Sequence, residues 1–205
     1  GKWNRLTRNT RVTFGILYGS SPNGIAMNLG ITLDRANELI ALYFEQFPGI
    51  KVYVEESHKM ALENGFVLNE FGQRKRTYGC FPVFKGTAVY NGALRLAQNV
   101  RVQSTASTFG LMCFARLNET IKKLGGKCIC TVYDSIEMEV PIEKAAEALE
   151  AVFYHLDDEP VKLYPWLKIP VGVDAEIGFN WGDAEGVKRG ATQQQIEEML
   201  KHARR

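Results

Sequence analysis

The stretch Cys128-Ile129-Cys130-Thr131-Val132-Tyr133-Asp134-Ser135-Ile136-Glu137-Met138-Glu139-Val140 carries the clearest β signal in the chain. Its second half alternates apolar with acidic residues. Two such runs joined at Tyr133-Asp134-Ser135 predict a hairpin with Asp134 in the turn. In a regular strand Cys128 and Cys130 share one face. A carboxylate at a hairpin tip is held out from stiff backbone with its oxygens exposed. That suits a divalent metal bound partly by protein and partly by substrate phosphates. It equally suits a turn aspartate bonded to its own backbone, the usual reason for Asp in turns.

Upstream of the hairpin, Gly86 to Leu124 is helical in spacing and reads as two helices with a joint near Ser104 to Gly110. Arg95, Asn99 and Gln103 recur there at i, i+4 and i+8, beside Leu94, Ala97 and Val102. Side chains at this spacing share one helix face. Such a row can reach purine N3 and pyrimidine O2, acceptors common to all base pairs in a minor groove. It can also be a surface stripe, or a set of polar groups satisfied by neighbouring backbone. Phe66 to Phe84 begins strand-like at Phe66-Val67-Leu68 and turns at Phe71-Gly72. The compact patch Gln73-Arg74-Lys75-Arg76 follows, able to hold a strand's phosphates or simply solvated.

Nearer the start, residues 5–18 predict a helix that begins basic and turns aromatic. Arg5, Arg8 and Arg11 recur every three residues, and Phe14 and Tyr18 are four apart. The rings and part of the cation row can face one cleft. Arginines bind phosphates bidentately, and aromatic rings stack on a base or pack on a sugar. A basic helix with an aromatic core face has the same spacing. Gly19 to Gly24 breaks the helix, Ile25 to Leu29 forms a short one, and Thr32 caps a longer one that Pro48-Gly49 ends. Ile50 to Glu63 is a further amphipathic helix. Beyond the hairpin, Ile142 to Leu156 predicts a helix and Ile169 to Ile177 a strand. Gly178-Phe179-Asn180-Trp181-Gly182 closes the core, and Ala191 to Arg205 is a polar helix with little to bury.

Composition bounds the class. The chain has 205 residues, 45% hydrophobic and 23% charged, with 25 Lys+Arg against 23 Asp+Glu. These proportions exclude disordered, collagen-like and coiled-coil chains. No apolar run of ~18 residues predicts a membrane span, and Gly1-Lys2-Trp3-Asn4-Arg5 lacks the apolar core of a secretory signal. A net charge of +2 neither announces nor excludes nucleic acid. Cys80, Cys113, Cys128 and Cys130 lack C-x-x-C spacing and read as reduced thiols.

The order of these features resembles one family. Phe14-Gly15-Ile16-Leu17-Tyr18-Gly19 resembles the end of motif B of family A (DNA polymerase I-type) DNA polymerases. Tyr43-Phe44-Glu45-Gln46-Phe47-Pro48-Gly49 resembles their fingers segment Y-F-x-x-[FY]-P-G. Gly65-Phe66-Val67 with Gly72-Gln73-Arg74, the R-x-x-x-N-x-x-x-Q row, Val132-Tyr133-Asp134-Ser135 as motif C, and Gly178-Phe179-Asn180-Trp181-Gly182 continue the match. The implied fold is α+β: a helical fingers subdomain (1–85), part of an antiparallel palm sheet with the motif C hairpin (86–183), and a C-terminal helical tail (184–205). The implied function is addition of dNTPs to a primer 3′-end on primer–template DNA, in a bacterial or phage-infected cytoplasm. Asp134 is the implied catalytic residue and a ligand of two Mg²⁺ ions. Arg8, Arg11, Phe14 and Tyr18 are the implied dNTP contacts, and Arg95, Asn99, Gln103, Arg74 and Arg76 the DNA contacts.

The chain departs from the pattern at four places. Thr10 and Leu6 stand where motif B has lysine and arginine, leaving Arg8 and Arg11 to supply the charge. Tyr133 and Ser135 replace the usual His and Glu of motif C. Motif A, with the second catalytic aspartate, does not precede motif B, so a second polypeptide carrying motif A and the thumb is expected, or the chain is a fragment. A polar tail follows Asp183. The abbreviated motifs incline the reading toward a phage. The alternative is a polymerase-derived module that binds DNA or a partner and does no chemistry.

Overall fold

A computed structural model describes residues 13–203, with side chains through Lys201. Residues up to Thr105 form one compact unit and those from Ala106 onward another. The expected helix over residues 5–18 is described only in part: residues 13–17 are helical (α1), and Arg5, Arg8 and Arg11 lie outside the described residues.

Local chemistry sets the helices of the first unit. Ser21 accepts from the Gly24 amide at 3.2 Å and Pro22 opens α2 (Pro22–Leu29), which stops at Gly30 with φ +65°. The Thr32 hydroxyl accepts from the Arg35 amide at 3.3 Å and starts α3 (Leu33–Gln46). Both are side-chain caps that satisfy orphan helix donors. Pro48, whose missing N–H costs nothing at a first helical position, opens α4 (Pro48–Asn64). Ile16, Ile25 and Ala36 form a buried cluster covered by Ile40, Tyr43 and Phe44. β1 (Phe66–Leu68) pairs antiparallel with β2 (Arg74–Arg76), Phe66 opposite Arg76 and Leu68 opposite Arg74. The buried Asn69 closes this hairpin, its Oδ1 accepting from the Phe71 and Gln73 amides at 3.1 and 2.9 Å.

The expected joint near Ser104 to Gly110 does not occur. One α5 runs unbroken over Ala88–Lys123, and the division between units falls inside it. The Ser104 hydroxyl donates to the Val100 carbonyl and Thr105 to the Arg101 carbonyl at 2.6 Å. Hydroxyls that bond back to the i−4 carbonyl stay within a helix and do not end it.

In the second unit, β3 (Lys127–Val132) and β4 (Ser135–Glu139) form the expected hairpin. Its pairing shifts between Cys128 and Cys130. A bulge places two residues opposite one and reverses the alternation beyond it. So Cys128 packs on the Leu117–Ile121 cluster while Cys130 is exposed, and the expected shared face is lost. The helix expected over Ile142 to Leu156 extends further, as α6 (Ala145–Phe153), a π turn (Tyr154–Asp158) and α7 (Glu159–Leu163). Pro160 has no N–H to return to Leu156, which suits the wider turn. There His155 lies between the Thr120 hydroxyl and Glu159, 2.8 Å from each. The strand expected over Ile169 to Ile177 shortens to β5 (Ala175–Ile177), matched to a three-residue partner, β6 (Glu185–Val187). Pro170 and Gly172, at φ +74°, keep the preceding residues out of it.

The tail departs most from expectation. α8 (Gln193–Ala203) buries Ile196 and Leu200 in one core with Ala145, Leu149, Phe153 and Val187. Gly190 donates its amide to Glu150 at 3.1 Å, and Gln193 donates to the Ile142 carbonyl at 2.6 Å. Two apolar residues four apart suffice because both reach the same face of α6. Asn180 caps the turn at 181–183, accepting from Gly182 and Asp183 amides at 2.9 and 3.1 Å. Trp181 stays 68% exposed, so this segment does not close the core with its indole.

Candidate functional site

In the first unit, Phe14 and Tyr18 stack with ring centroids 5.9 Å apart and planes 12° from parallel. Both remain exposed. The chain then turns at Gly19, φ +75°, where an added Cβ would lie 2.9 Å from Arg95 Cγ and 3.0 Å from Gln98 Nε2. Positive φ and close approach both demand glycine there. Asn99 Nδ2 donates to the Tyr18 carbonyl at 3.3 Å. The fold thus brings Phe14, Tyr18, Arg95 and Asn99 together across more than seventy residues of sequence. Arg95 and Gln103 are exposed on α5.

Two residues that join this site carry no assignment from the sequence. Gln98 is 3% exposed. Its Nε2 donates to the Leu17 carbonyl at 2.8 Å, its Oε1 meets His58 Nε2 at 2.9 Å, and its own carbonyl accepts from the Tyr53 hydroxyl at 2.6 Å. An amide oxygen only accepts, so His58 carries a proton on Nε2. Arg101 donates to the Leu68 carbonyl at 3.2 Å and to Ser57 Oγ at 3.0 Å, pairs with Glu70, and lies over the Tyr53 ring at 4.9 Å. Burial pushes the Tyr53 phenol above its usual range, and Arg101 opposes that shift. The available signal is position: both residues fall on the α5 side that holds Leu94 and Ala97, where polar groups are exceptional. Arg74 and Arg76 are exposed on β2.

In the second unit, Val132 pairs directly with Ser135, so Tyr133 and Asp134 form a two-residue turn. Tyr133 has φ +56° and is fully exposed. Asp134 is exposed at the tip. Ser135 Oγ lies 3.1 Å from the Val132 carbonyl and 3.0 Å from Glu137 Oε1. Among the described residues, no three His, Cys, Asp or Glu side chains converge as a metal cluster. Cys113, buried and near Glu159, has its thiol pushed up to about 11, chiefly by desolvation. It is no nucleophile at neutral pH.

The family model for DNA polymerase family A matches residues 4–183. The thermostable DNA polymerase I of Thermus filiformis is 30% identical over 174 residues, covering 85% of this chain and 20% of that protein. DNA polymerase I of Bacillus caldotenax is 31% identical over 176 residues, covering 85% and 19%. That of Deinococcus radiodurans is 28% identical over 174 residues, covering 85% and 18%. The chain spans about a fifth of the length of these relatives. The POL domain of Pol1 from M. smegmatis, solved in complex with DNA primer-template and dNTP, superposes with a TM-score of 0.69 at 23% identity. That likeness covers 74% of this chain and 27% of the other, and it is one of fold. No described helix is long and apolar enough to cross a membrane. With a family model matched from residue 4 to residue 183, the chain belongs to DNA polymerase family A.

Proposed function

We propose that these residues are the fingers (1–85) and part of the palm (86–183) of a DNA-directed DNA polymerase, with a C-terminal tail (184–205). The reaction is addition of dNTPs to a primer 3′-end. One observation carries the proposal: Asp134 stands exposed at the tip of a two-residue hairpin, in the motif C register of the family. A carboxylate there holds its position without backbone rearrangement, as a metal ligand in phosphoryl transfer must.

The remaining residues take the following roles in this reading. The exposed Phe14 and Tyr18 rings offer a flat face to the nascent base pair and the dNTP sugar. Arg95 and Gln103, with Asn99 between them, present donors to the minor groove of primer–template DNA. Asn99 also holds the Tyr18 backbone, which ties the groove contact to the base-pair contact. Arg8 and Arg11 supply positive charge to the triphosphate in place of the motif B lysine and arginine, whose positions Thr10 and Leu6 occupy. Arg74 and Arg76 bind backbone phosphates.

Asp134 would hold Mg²⁺ together with substrate phosphates and the motif A aspartate. That aspartate comes from outside these 205 residues, on the same polypeptide or on a second one that also brings the thumb. When bound, the ions activate the primer 3′-hydroxyl and neutralise charge at the α-phosphate. The test is primer extension by the chain supplied with a motif A segment. Synthesis is expected with that segment, is absent without it, and is abolished by Asp134→Ala. Synthesis that survives Asp134→Ala overturns the proposal, and DNA binding without synthesis in every combination supports a non-catalytic module.

A further inference from the structure

The last carbonyls of α1 divide between two sets of partners. Those of Phe14, Gly15 and Ile16 accept from the Tyr18, Ser20 and Gly19 amides at 2.8, 2.8 and 3.0 Å, within the helix and its turn. Those of Leu17 and Tyr18 turn to α5 instead. The first accepts from Gln98 Nε2 at 2.8 Å and the second from Asn99 Nδ2 at 3.3 Å. These two oxygens belong to the two peptide groups that flank the Tyr18 Cα. A peptide group is planar, so holding both oxygens sets φ and ψ at Tyr18 and the direction in which its side chain leaves. The ring leaves toward Phe14 and stacks on it.

Gln98 is itself held on every side. It is buried, its own carbonyl accepts from the Tyr53 hydroxyl at 2.6 Å, and its Oε1 faces His58 Nε2 at 2.9 Å. A reversed amide would set Oε1 against the Leu17 carbonyl, two acceptors with no proton between them. One amide orientation therefore satisfies both neighbours. Tyr53 and His58 stand on α4, and between them Ser57 Oγ accepts from Arg101 at 3.0 Å, while that guanidinium covers the Tyr53 ring. Little slack remains at the other end, since a Cβ added at Gly19 would lie 3.0 Å from Gln98 Nε2. A buried hydrogen-bonded set gains little stability over apolar groups of the same shape. What the amide adds is a directed bond to one carbonyl.

We propose that Gln98, oriented by His58, is a positioning residue: through the Leu17 carbonyl it fixes the direction of the Tyr18 ring, and through that ring the discrimination between matched and mismatched dNTPs. The second half rests on the polymerase reading; the first does not.

The test reads Tyr18 directly, by fluorine NMR of the 205-residue chain carrying fluorotyrosine, in which the Tyr18 signal is the one lost in Tyr18→Phe. Gln98→Met keeps the length of the side chain, and Gln98→Glu keeps its shape without an N–H to donate. Each should shift or broaden the Tyr18 signal. Asn69→Ala loosens the same unit by removing the buried side chain that closes the β1–β2 hairpin, and should leave the signal in place. His58→Leu should move it in the same direction as Gln98→Met, and His58→Gln, which still donates an N–H, should restore it. Gln98→Met with His58→Leu should be no worse than Gln98→Met alone, as members of one network are not additive. In the chain supplied with a motif A segment, Gln98→Met should lower the ratio of kcat/KM for matched over mismatched dNTPs about three- to tenfold, the scale of one net hydrogen bond. The proposal is overturned if the Tyr18 signal stays put in both Gln98 variants, if it moves as far in Asn69→Ala, or if it moves and the ratio does not. Absence of synthesis by the wild type with motif A counts against the polymerase reading, and the Tyr18 signal still decides the positioning.

Discussion

Phe14 is the residue on which substrate choice turns in the proposed enzyme. A phenyl ring against the sugar offers no group to replace a missing 3′-hydroxyl, whereas a tyrosine hydroxyl there does. Phe14→Tyr should therefore raise kcat/KM for dideoxynucleotides while normal dNTP use barely changes. One regained charge-assisted hydrogen bond is worth about 1.5–3 kcal/mol, or roughly tenfold to a hundredfold in selectivity. Competing incorporation by the enzyme supplied with motif A measures the ratio, and an unchanged ratio removes Phe14 from the sugar. Tyr133 tests a different property. Left-handed backbone costs an L-residue about 1–2 kcal/mol, and this side chain, fully exposed, packs on nothing that offsets it. Tyr133→Gly should raise the denaturation midpoint by about 1 kcal/mol in stability, after the entropy that glycine loses. A lower midpoint would mean the tyrosine makes a compensating contact.

At the scale of the element, α5 does two jobs on two sides. Its exposed side carries Arg95 and Gln103, and its buried side carries Gln98, which holds the end of α1 to α4. Gln98→Leu removes the partner of two half-buried polar groups at once. It should cost about 2–3 kcal/mol by leaving the Leu17 carbonyl and His58 Nε2 unpaired. Gln103→Ala, on the exposed side, should stay within about 0.5 kcal/mol in stability. Urea unfolding of the two variants compares them, and equal losses would contradict the division of α5 into a structural and a binding side. The unbroken course of α5 through Ser104 and Thr105 belongs to the same scale. Hydroxyl residues in a row suggest a break, yet each of these returns to a carbonyl within its own helix.

At the scale of the whole molecule, the tail belongs to the second unit's core. Ile196 is fully buried and Leu200 nearly so, against Leu149 and Phe153. Arg189 pairs with Asp158, holding that carboxyl below its usual range. Ile196→Ala should cost about 2–5 kcal/mol, the range for deleting a buried aliphatic side chain. Thermal unfolding measures it. A loss near zero would mean that the tail undocks and that the core stands without it. The family match ends at residue 183, so this docking lies outside the matched region.

The sequence by itself determined the elements whose causes are local. Thr32, Pro48 and Gly30 punctuate α2, α3 and α4 by cap and turn chemistry, which acts over three or four residues, whereas the break expected over Gly19 to Gly24 stops at Ser21, which caps α2 three residues before its expected start. The alternation around Asp134 set the hairpin, and the motif order identified the family. Tertiary structure alone decided what distant residues do to one another. Gln98 became a buried hub because Leu17, His58 and Tyr53 reach it from elsewhere in the chain. Cys130 turned outward because a bulge reversed the alternation at Ile129. α8 became core because α6 offered an apolar face some fifty residues upstream. Propensity and periodicity are properties of neighbours in sequence; burial is a property of neighbours in space, and no window of a few residues contains them.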